Sequence, residues 1–310
     1  PSFEIEYNGF KNEQTRATSD LQGAVALSTL ADTLSPVGDY TITTGEGDIT
    51  SDNYQINRID GTLTIEKSTI TVTIENKTRK YGEDNPEPTY ALSGFKNSEV
   101  KATSGITGEL VLNIEQVNTT GIGTYPIKIT SNTLDAGNYD FLIVDGSMEI
   151  EKAVLAVKAD DKTRIYGDPN PQFTITINGY KNGEDATGAS LTGAPEYSTE
   201  AKDTTSVGTY AIQPLVGDLS APNYSFTFAE GTITIEKASL TVTAVNKERK
   251  YGEINPVFEA SYTGFKNDED FEKSDLTGQP GLTTIADTLT PIGTYTITAS
   301  EGELASRNYT

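Results

Sequence analysis

The residues able to do chemistry are few, and they recur. Glu83, Asp84 and Asn85 follow a Tyr-Gly pair and offer oxygens of the kind calcium takes; Asp168 and Glu253 stand at the place of Glu83 in two later copies. Their spacing is not that of a calcium loop, and Ile254 replaces Pro169, so the segment is expected to be a turn and no metal ligand is assigned. Glu184 with Asp185, and Glu269 with Asp270, are candidate carboxylate pairs for glycoside hydrolysis. That reaction needs two carboxylates facing across a sugar, which neighbours along a polar stretch do not provide. Histidine, cysteine and tryptophan are absent, which excludes Ser-His-Asp and Cys-His catalysis, imidazole metal ligands and disulfides. No GxGxxG or phosphate-cradling lysine loop occurs. No catalytic, cofactor-binding or metal-binding residue is therefore expected, no cofactor is assigned, and the chain is expected not to be an enzyme. Asn-x-Ser/Thr at Asn118 and Asn223 matters only in a host that glycosylates.

The formal net charge is -22, from 45 acidic and 23 basic residues. An acidic surface repels phosphates, so no nucleic-acid partner is expected. No apolar run is long enough to span a bilayer, and no membrane insertion is expected. The chain opens on "PSFEIEY", so a targeting segment is expected to have been removed or to lie outside this sequence.

The elements that position these residues repeat with a period of 85. "KTRKYGEDNP" begins at Lys77, "KTRIYGDPNP" at Lys162 and "KERKYGEINP" at Lys247. Tyr-Gly recurs at Tyr81, Tyr166 and Tyr251; G-x-Y at Tyr40, Tyr125, Tyr210 and Tyr295; Asn-Tyr at Tyr54, Tyr139, Tyr224 and Tyr309. Gly-aromatic recurs at Phe10, Phe95, Tyr180 and Phe265, and "IEK" ends at Lys67, Lys152 and Lys237. Fixed-period similarity marks a tandem array. The Tyr-Gly glycine suits a backbone conformation that a side chain resists, and the arginines Arg79, Arg164 and Arg249 are expected to meet an acidic neighbour or a tyrosine face. The G-x-Y tyrosines are expected in the core or tethered through their hydroxyls, and Asn-Tyr is expected to start a strand with the asparagine capping the preceding turn.

Within a copy, apolar residues alternate as on half-buried strands. Ile70, Val72 and Ile74 share a face, as do Pro88, Tyr90 and Leu92; then Leu110, Leu112 and Ile114; Tyr125, Ile127 and Ile129; Tyr139, Phe141 and Ile143; Met148 and Ile150. Six short strands in 85 residues predict an all-β fold of tandem, small β-sandwich-like (Ig-like) domains arranged end to end, with an open barrel as the other arrangement the pattern allows. Stretches such as "KNGEDATGASLTG" allow one or two helical turns, but internal glycines disfavour the long helix of a β-grasp fold.

At each "EKS" or "EKA" the apolar phase flips, from Leu63 and Ile65 to Ile70 and Val72, for instance. The chain is expected to leave one hydrophobic interior and enter the next almost without a linker; a β-bulge within one strand is the alternative. The boundaries that follow are 1–67, a partial repeat without its first strand; 68–152 and 153–237, complete repeats; and 238–310, a partial repeat without its last strand. The array is expected to be cut from a longer one, with sheet edges at its ends open to association.

"YGDPNP-x-F", "GYKNGED", "SLTG-x-P", "SVGTYAI" and "APNYSFTFAEGTITIEKA", in this order, resemble the MBG family, mostly β-strand, glycine-rich modules of large bacterial adhesin-like surface proteins. The resemblance covers essentially the whole chain. It implies an extracellular, cell-surface or secreted location and a stalk or spacer role with neighbouring repeats as partners. The alternative it leaves is repeats that themselves bind a glycan or protein ligand multivalently. It carries over no catalytic residue.

Overall fold

The structure is a computed structural model describing residues 2–310. The chain divides into two compact units. One holds the chain up to Arg79 together with Glu83–Ile150; the other holds Lys80–Gly82 and Glu151–Thr310. All regular structure among the described residues is β, and each sheet draws its strands from a single repeat.

In the first unit, the second repeat is built around Ser68–Ile74. Its β-branched, strictly alternating sequence suits a central strand, and Ile70, Val72 and Ile74 are almost fully buried. Tyr139–Val144 pairs with it in parallel and Tyr90–Ser93 antiparallel. The chain then changes sheets. Lys77–Lys80 joins a second sheet with Ser147–Glu151 and Gly123–Pro126, so one stretch of backbone serves both layers of a small sandwich. Asn76 at the crossing accepts the Ser147 N–H at 2.8 Å. The first repeat supplies Leu27–Ser28, Gly38–Thr44 and Gly61–Ile65 as one sheet.

The second unit contains the third repeat in the same arrangement. Ala153–Ala159 lies between Tyr224–Ala229, parallel, and Ile175–Asn178, antiparallel, with Ala153, Leu155, Val157 and Ala159 buried. Lys162–Ile165 runs parallel to Gly231–Glu236, which pairs with Gly208–Leu215 and, through it, Glu196–Ser198. The fourth repeat adds Thr241–Ala244 with Ala260–Thr263, Gly281–Thr283 with Thr298–Ser300, and a parallel bridge between Ala238 and Tyr309.

Four sequence expectations change. Lys77–Lys80 and Lys162–Ile165 are strands although they show no apolar alternation, because their inward side chain is an arginine; Arg79 and Arg164 are both buried. Ile129 leaves the face it was expected to share with Tyr125 and Ile127 and is exposed. There the strand breaks at Pro126, and the Leu110–Asn113 and Lys128–Asn132 pair carries a register shift at Val111/Leu112. The "KN" stretch forms turns rather than a helix, with single i to i−4 bonds such as Ala189 N to Asp185 O at 2.9 Å. The phase flip is a change of sheet, since Gly231–Glu236 and Thr241–Ala244 lie in different sheets. The interiors, however, are not separate at that joint. Tyr166, Ile212, Ile233 and Ile235 form one buried cluster with Ala238 and Tyr309 of the next repeat.

Candidate interface between successive repeats

Each recurring residue has a task, and most of the tasks concern the joint. In "KTRIYGDPNP" the buried Arg164 donates from Nε to Asn170 Oδ1 at 2.8 Å and from Nη2 to the Lys202 carbonyl at 2.5 Å. Asn170 in turn donates to the Ala201 carbonyl at 2.7 Å. Arg79 with Asn85 makes the same clamp on Val117 O, Ile114 O and Gln116 O, and Arg249 with Asn255 on Asp287 O and Ala286 O. The hydrogen bonds of these arginines thus go to an asparagine and to loop carbonyls, and at Arg79 the charges of Glu83 and Asp84 act as well. A planar guanidinium satisfies several acceptors from one buried position, which an ammonium does not. The Asn85 side chain is engaged in this clamp through both its oxygen and its nitrogen.

The clamp fixes the loop ahead of G-x-Y, whose tyrosine returns its hydroxyl to the backbone four residues upstream. Tyr40 donates to Pro36 O, Tyr125 to Gly121 O, Tyr210 to Ser206 O and Tyr295 to Pro291 O, at 2.8–3.1 Å. These rings are partly rather than fully buried.

The clamp also aims the Tyr-Gly turn. Tyr166 is 3% exposed, and its ring meets Tyr309 edge-on with centroids 5.6 Å apart. Glu269 accepts the Tyr166 hydroxyl at 2.8 Å and the Tyr309 hydroxyl at 2.5 Å, while the Lys266 N–H donates to Tyr309 Oη at 3.0 Å. One carboxylate thereby ties the turn of the third repeat to the Asn-Tyr strand of the fourth. Within the second unit the motif occurs again 85 residues earlier, with Tyr81 and Tyr224 both donating to Glu184. Burial, and then the carboxylate, push these phenols above their ordinary value, Tyr224 to about 12. The glycine is required twice over. Gly167 has φ +81°, and a Cβ on it would lie 2.3 Å from Lys266 Cβ; Gly82 stands 2.4 Å from Lys181 in the same way. The MBG domain (YGX type) profile matches residues 1–64, 70–149, 155–234 and 240–310. The chain belongs to the MBG family. No curated protein and no solved structure matches it.

The remaining landmarks of the MBG repeat also serve the joint. Asn-Tyr begins a strand at Tyr139 and Tyr224, as expected. Its asparagine does not cap its own turn but reaches the preceding repeat: Asn138 accepts the Val37 N–H in the first unit and Asn308 the Val207 N–H in the second, both at 3.0 Å. The lysine of "IEK" follows suit, Lys67 donating to Ala136 O and Lys237 to Ser306 O. Asn97 donates to Thr33 O, and Lys266 pairs with Asp168 at 2.9 Å. Glu184 and Glu269 are also halves of the acidic pairs Glu184–Asp185 and Glu269–Asp270. Their neighbours turn to local work, Asp185 capping Gly188 N and Asp270 capping Glu272 N and Lys273 N, so neither pair faces across a cleft. A signal for the carboxylate existed: Glu99, Glu184 and Glu269 hold one register behind "KN", with Gln14 in the first copy.

A cleft of about 460 Å³ in the fourth repeat is lined by Phe258, Tyr262, Phe271 and Leu282. In the third repeat the position of Leu282 is Tyr197, which packs on Phe173 at 5.6 Å. Among the described residues no group of His, Cys, Asp or Glu could hold a metal, and no helix is long and apolar enough to cross a membrane.

Proposed function

We propose that these repeats are a stalk or spacer of a bacterial surface adhesin, displayed outside the cell, which holds a binding region away from its anchor. The modules are taken as residues 68–152 and 153–237, with 1–67 and 238–310 as partial copies. The observation that carries the proposal is the recurrence of the same joint contacts, Val37 with Asn138 and Lys67 with Ala136 in one unit, Val207 with Asn308 and Lys237 with Ser306 in the other. A glycine- and serine-rich tether would leave neighbours free to reorient. A hand-over of a few residues, bonded on both sides and plugged by a tyrosine, resists bending. The buried cluster shared by the third and fourth repeats supports a stiff joint that is filled rather than one that separates two cores.

Multivalent recognition of a glycan or protein ligand is the second reading. It calls for one feature repeated on every module, whereas at the place of Leu282, which lines the cleft of the fourth repeat, the third repeat has Tyr197 packed on Phe173. Small-angle scattering tests the stalk. Modules built from strands of ordinary length predict a maximum dimension above about 100 Å, and a compact particle with a radius of gyration near 20 Å overturns it.

A further inference from the structure

We propose that Asn182 is a site of spontaneous deamidation, and that its conversion to aspartate or isoaspartate weakens the hold of the third repeat on Tyr81. This goes beyond a spacer role, because it makes one contact of the array change with the age of the protein.

Every repeat has a tight turn behind its Gly-aromatic pair. In each, the last residue donates its backbone N–H to the first residue's carbonyl: Gln14 to Lys11, Glu99 to Lys96, Glu184 to Lys181 and Glu269 to Lys266, at 2.9–3.1 Å. The two residues between have positive φ in all four, +55° and +72° at Asn182 and Gly183. This is the type I′ geometry, for which Asn-Gly is a preferred pair. Only the third repeat carries that pair here. The others follow the asparagine with Glu13, Ser98 and Asp268.

Deamidation uses the backbone nitrogen after the asparagine, which a side chain shields and glycine leaves open. The Gly183 N–H gives its proton to hydroxide and the nitrogen attacks Asn182 Cγ. The Cγ–Nδ2 bond breaks and ammonia leaves. Water then opens the succinimide at either carbonyl, giving aspartate or isoaspartate. The structure favours this at Asn182. Both residues are exposed, and a Cβ on Gly183 would meet nothing within 4 Å, so the ring has room. The turn is closed by Glu184 N, which leaves the Gly183 N–H outside that bond. Asn178–Gly179 is the contrast within the same repeat. Asn178 pairs with Ala156 in the sheet, and a Cβ on Gly179 would lie 2.6 Å from Val154 O. Asn8–Gly9 holds that same register in the first repeat.

Asn182 sits where the change is felt. Its amide donates to the Tyr81 hydroxyl, whose own proton goes to Glu184. Tyr81 is buried, and Glu184 also accepts from Tyr224. A carboxylate at position 182 has no hydrogen to donate. It turns an acceptor toward the Tyr81 oxygen and sets a second negative charge beside Glu184. Isoaspartate also lengthens the backbone of the turn by a methylene.

Peptide mass spectrometry of the folded 310-residue chain, sampled during incubation at mildly alkaline pH, tests the site. The pH stays well below about 10, so tyrosine ionisation does not intervene. Asn182 should convert at least severalfold faster than Asn178, and than Asn97 and Asn267, which hold the same turn. Gly183→Ser reproduces the Asn97–Ser98 turn, where serine already sits at φ +61°, and should slow position 182 to the rate of Asn97. Matching urea midpoints of the fresh chains show that this variant folds. After ageing, the unaltered chain should unfold at lower urea than before, and Gly183→Ser should keep its midpoint; fresh Asn182→Asp should show the same fall. Conversion at 182 no faster than at 97 and 267, or unaltered by Gly183→Ser, overturns the site. An unchanged midpoint in protein converted at 182 overturns the weakened hold on Tyr81. Neither result bears on the spacer role, which is read from scattering.

Discussion

The Tyr166 hydroxyl donates to Glu269 at 2.8 Å across 103 residues of sequence. That separation is one repeat of 85 plus 18, so the bond links a turn to the module after its own. Tyr309 donates to the same carboxylate from the other side. The buried tyrosines bring apolar area to the joint, and the glutamate makes their burial tolerable, because a phenol taken out of water without an acceptor costs free energy.

Removing that acceptor should therefore loosen the joint. Glu269→Ala leaves two buried hydroxyls without it, at a cost of about 2–4 kcal/mol. Glu269→Gln retains an amide that accepts from one hydroxyl and donates to the other, as Gln14 accepts from Tyr54, and should cost under about 1 kcal/mol. Urea midpoints of the two variants test the difference. Equal midpoints would show that the carboxylate is dispensable.

The two glycines of the Tyr-Gly turn offer a controlled pair. Gly167 and Gly252 have nearly equal φ, +81° and +84°, but only the first stands against a neighbour. Gly252→Ala should cost about 1 kcal/mol, from backbone strain alone. Gly167→Ala adds the displacement of Lys266 and should cost about 1–3 kcal/mol more. Thermal unfolding measures both. A Gly252 variant as damaged as the Gly167 variant would assign the whole effect to the turn and none to docking.

How much of this could be read beforehand follows from the range of each interaction. Ile70, Val72 and Ile74 are legible because alternation is local, and the G-x-Y tether spans only four residues. Lys77–Lys80 was missed as a strand because apolar alternation cannot reveal an inward arginine. The register of Glu269 behind "KN" marks it as a recurring residue but names no partner, since its partners are 40 and 103 residues away. The shared interior at Ala238 and Tyr309 was hidden for the same reason. A phase flip reports that the strand changes sheet, but it says nothing of a tyrosine arriving from the preceding turn.

The arginine clamp predicts a graded loss. Arg164 is buried and its guanidinium serves Asn170 and the Lys202 carbonyl, so Arg164→Lys should cost about 2–3 kcal/mol. Arg249 makes equivalent bonds from a partly exposed position, and water can replace them. Arg249→Lys should cost under about 1 kcal/mol. Chemical denaturation distinguishes the two, and equal losses would remove burial as the reason.

Alkaline pH should open the joint through its tyrosines. Tyr224 is raised from 10.0 to about 12, first by burial and then by its bond to Glu184; Tyr166 and Tyr309 are raised for the same reasons with Glu269. The folded state therefore favours the neutral phenol. In the unfolded chain the same groups ionise near 10, so between pH 10 and 12 the unfolded state has lost more protons than the folded one. The contribution of Tyr224 is fully present below pH 10 and declines as pH rises through about 12, and those of Tyr166 and Tyr309 are likewise lost as pH rises above 10. For Tyr224 the displacement amounts to on the order of 2–3 kcal/mol. Phenolate absorbance near 295 nm should rise in two steps, the later one coinciding with loss of the β-sheet circular dichroism signal. In Glu269→Gln the late step should shrink, since the negative charge opposing ionisation of Tyr166 and Tyr309 is gone. A single step complete by pH 11, with the circular dichroism signal intact, would contradict the buried hydroxyl-carboxylate joint.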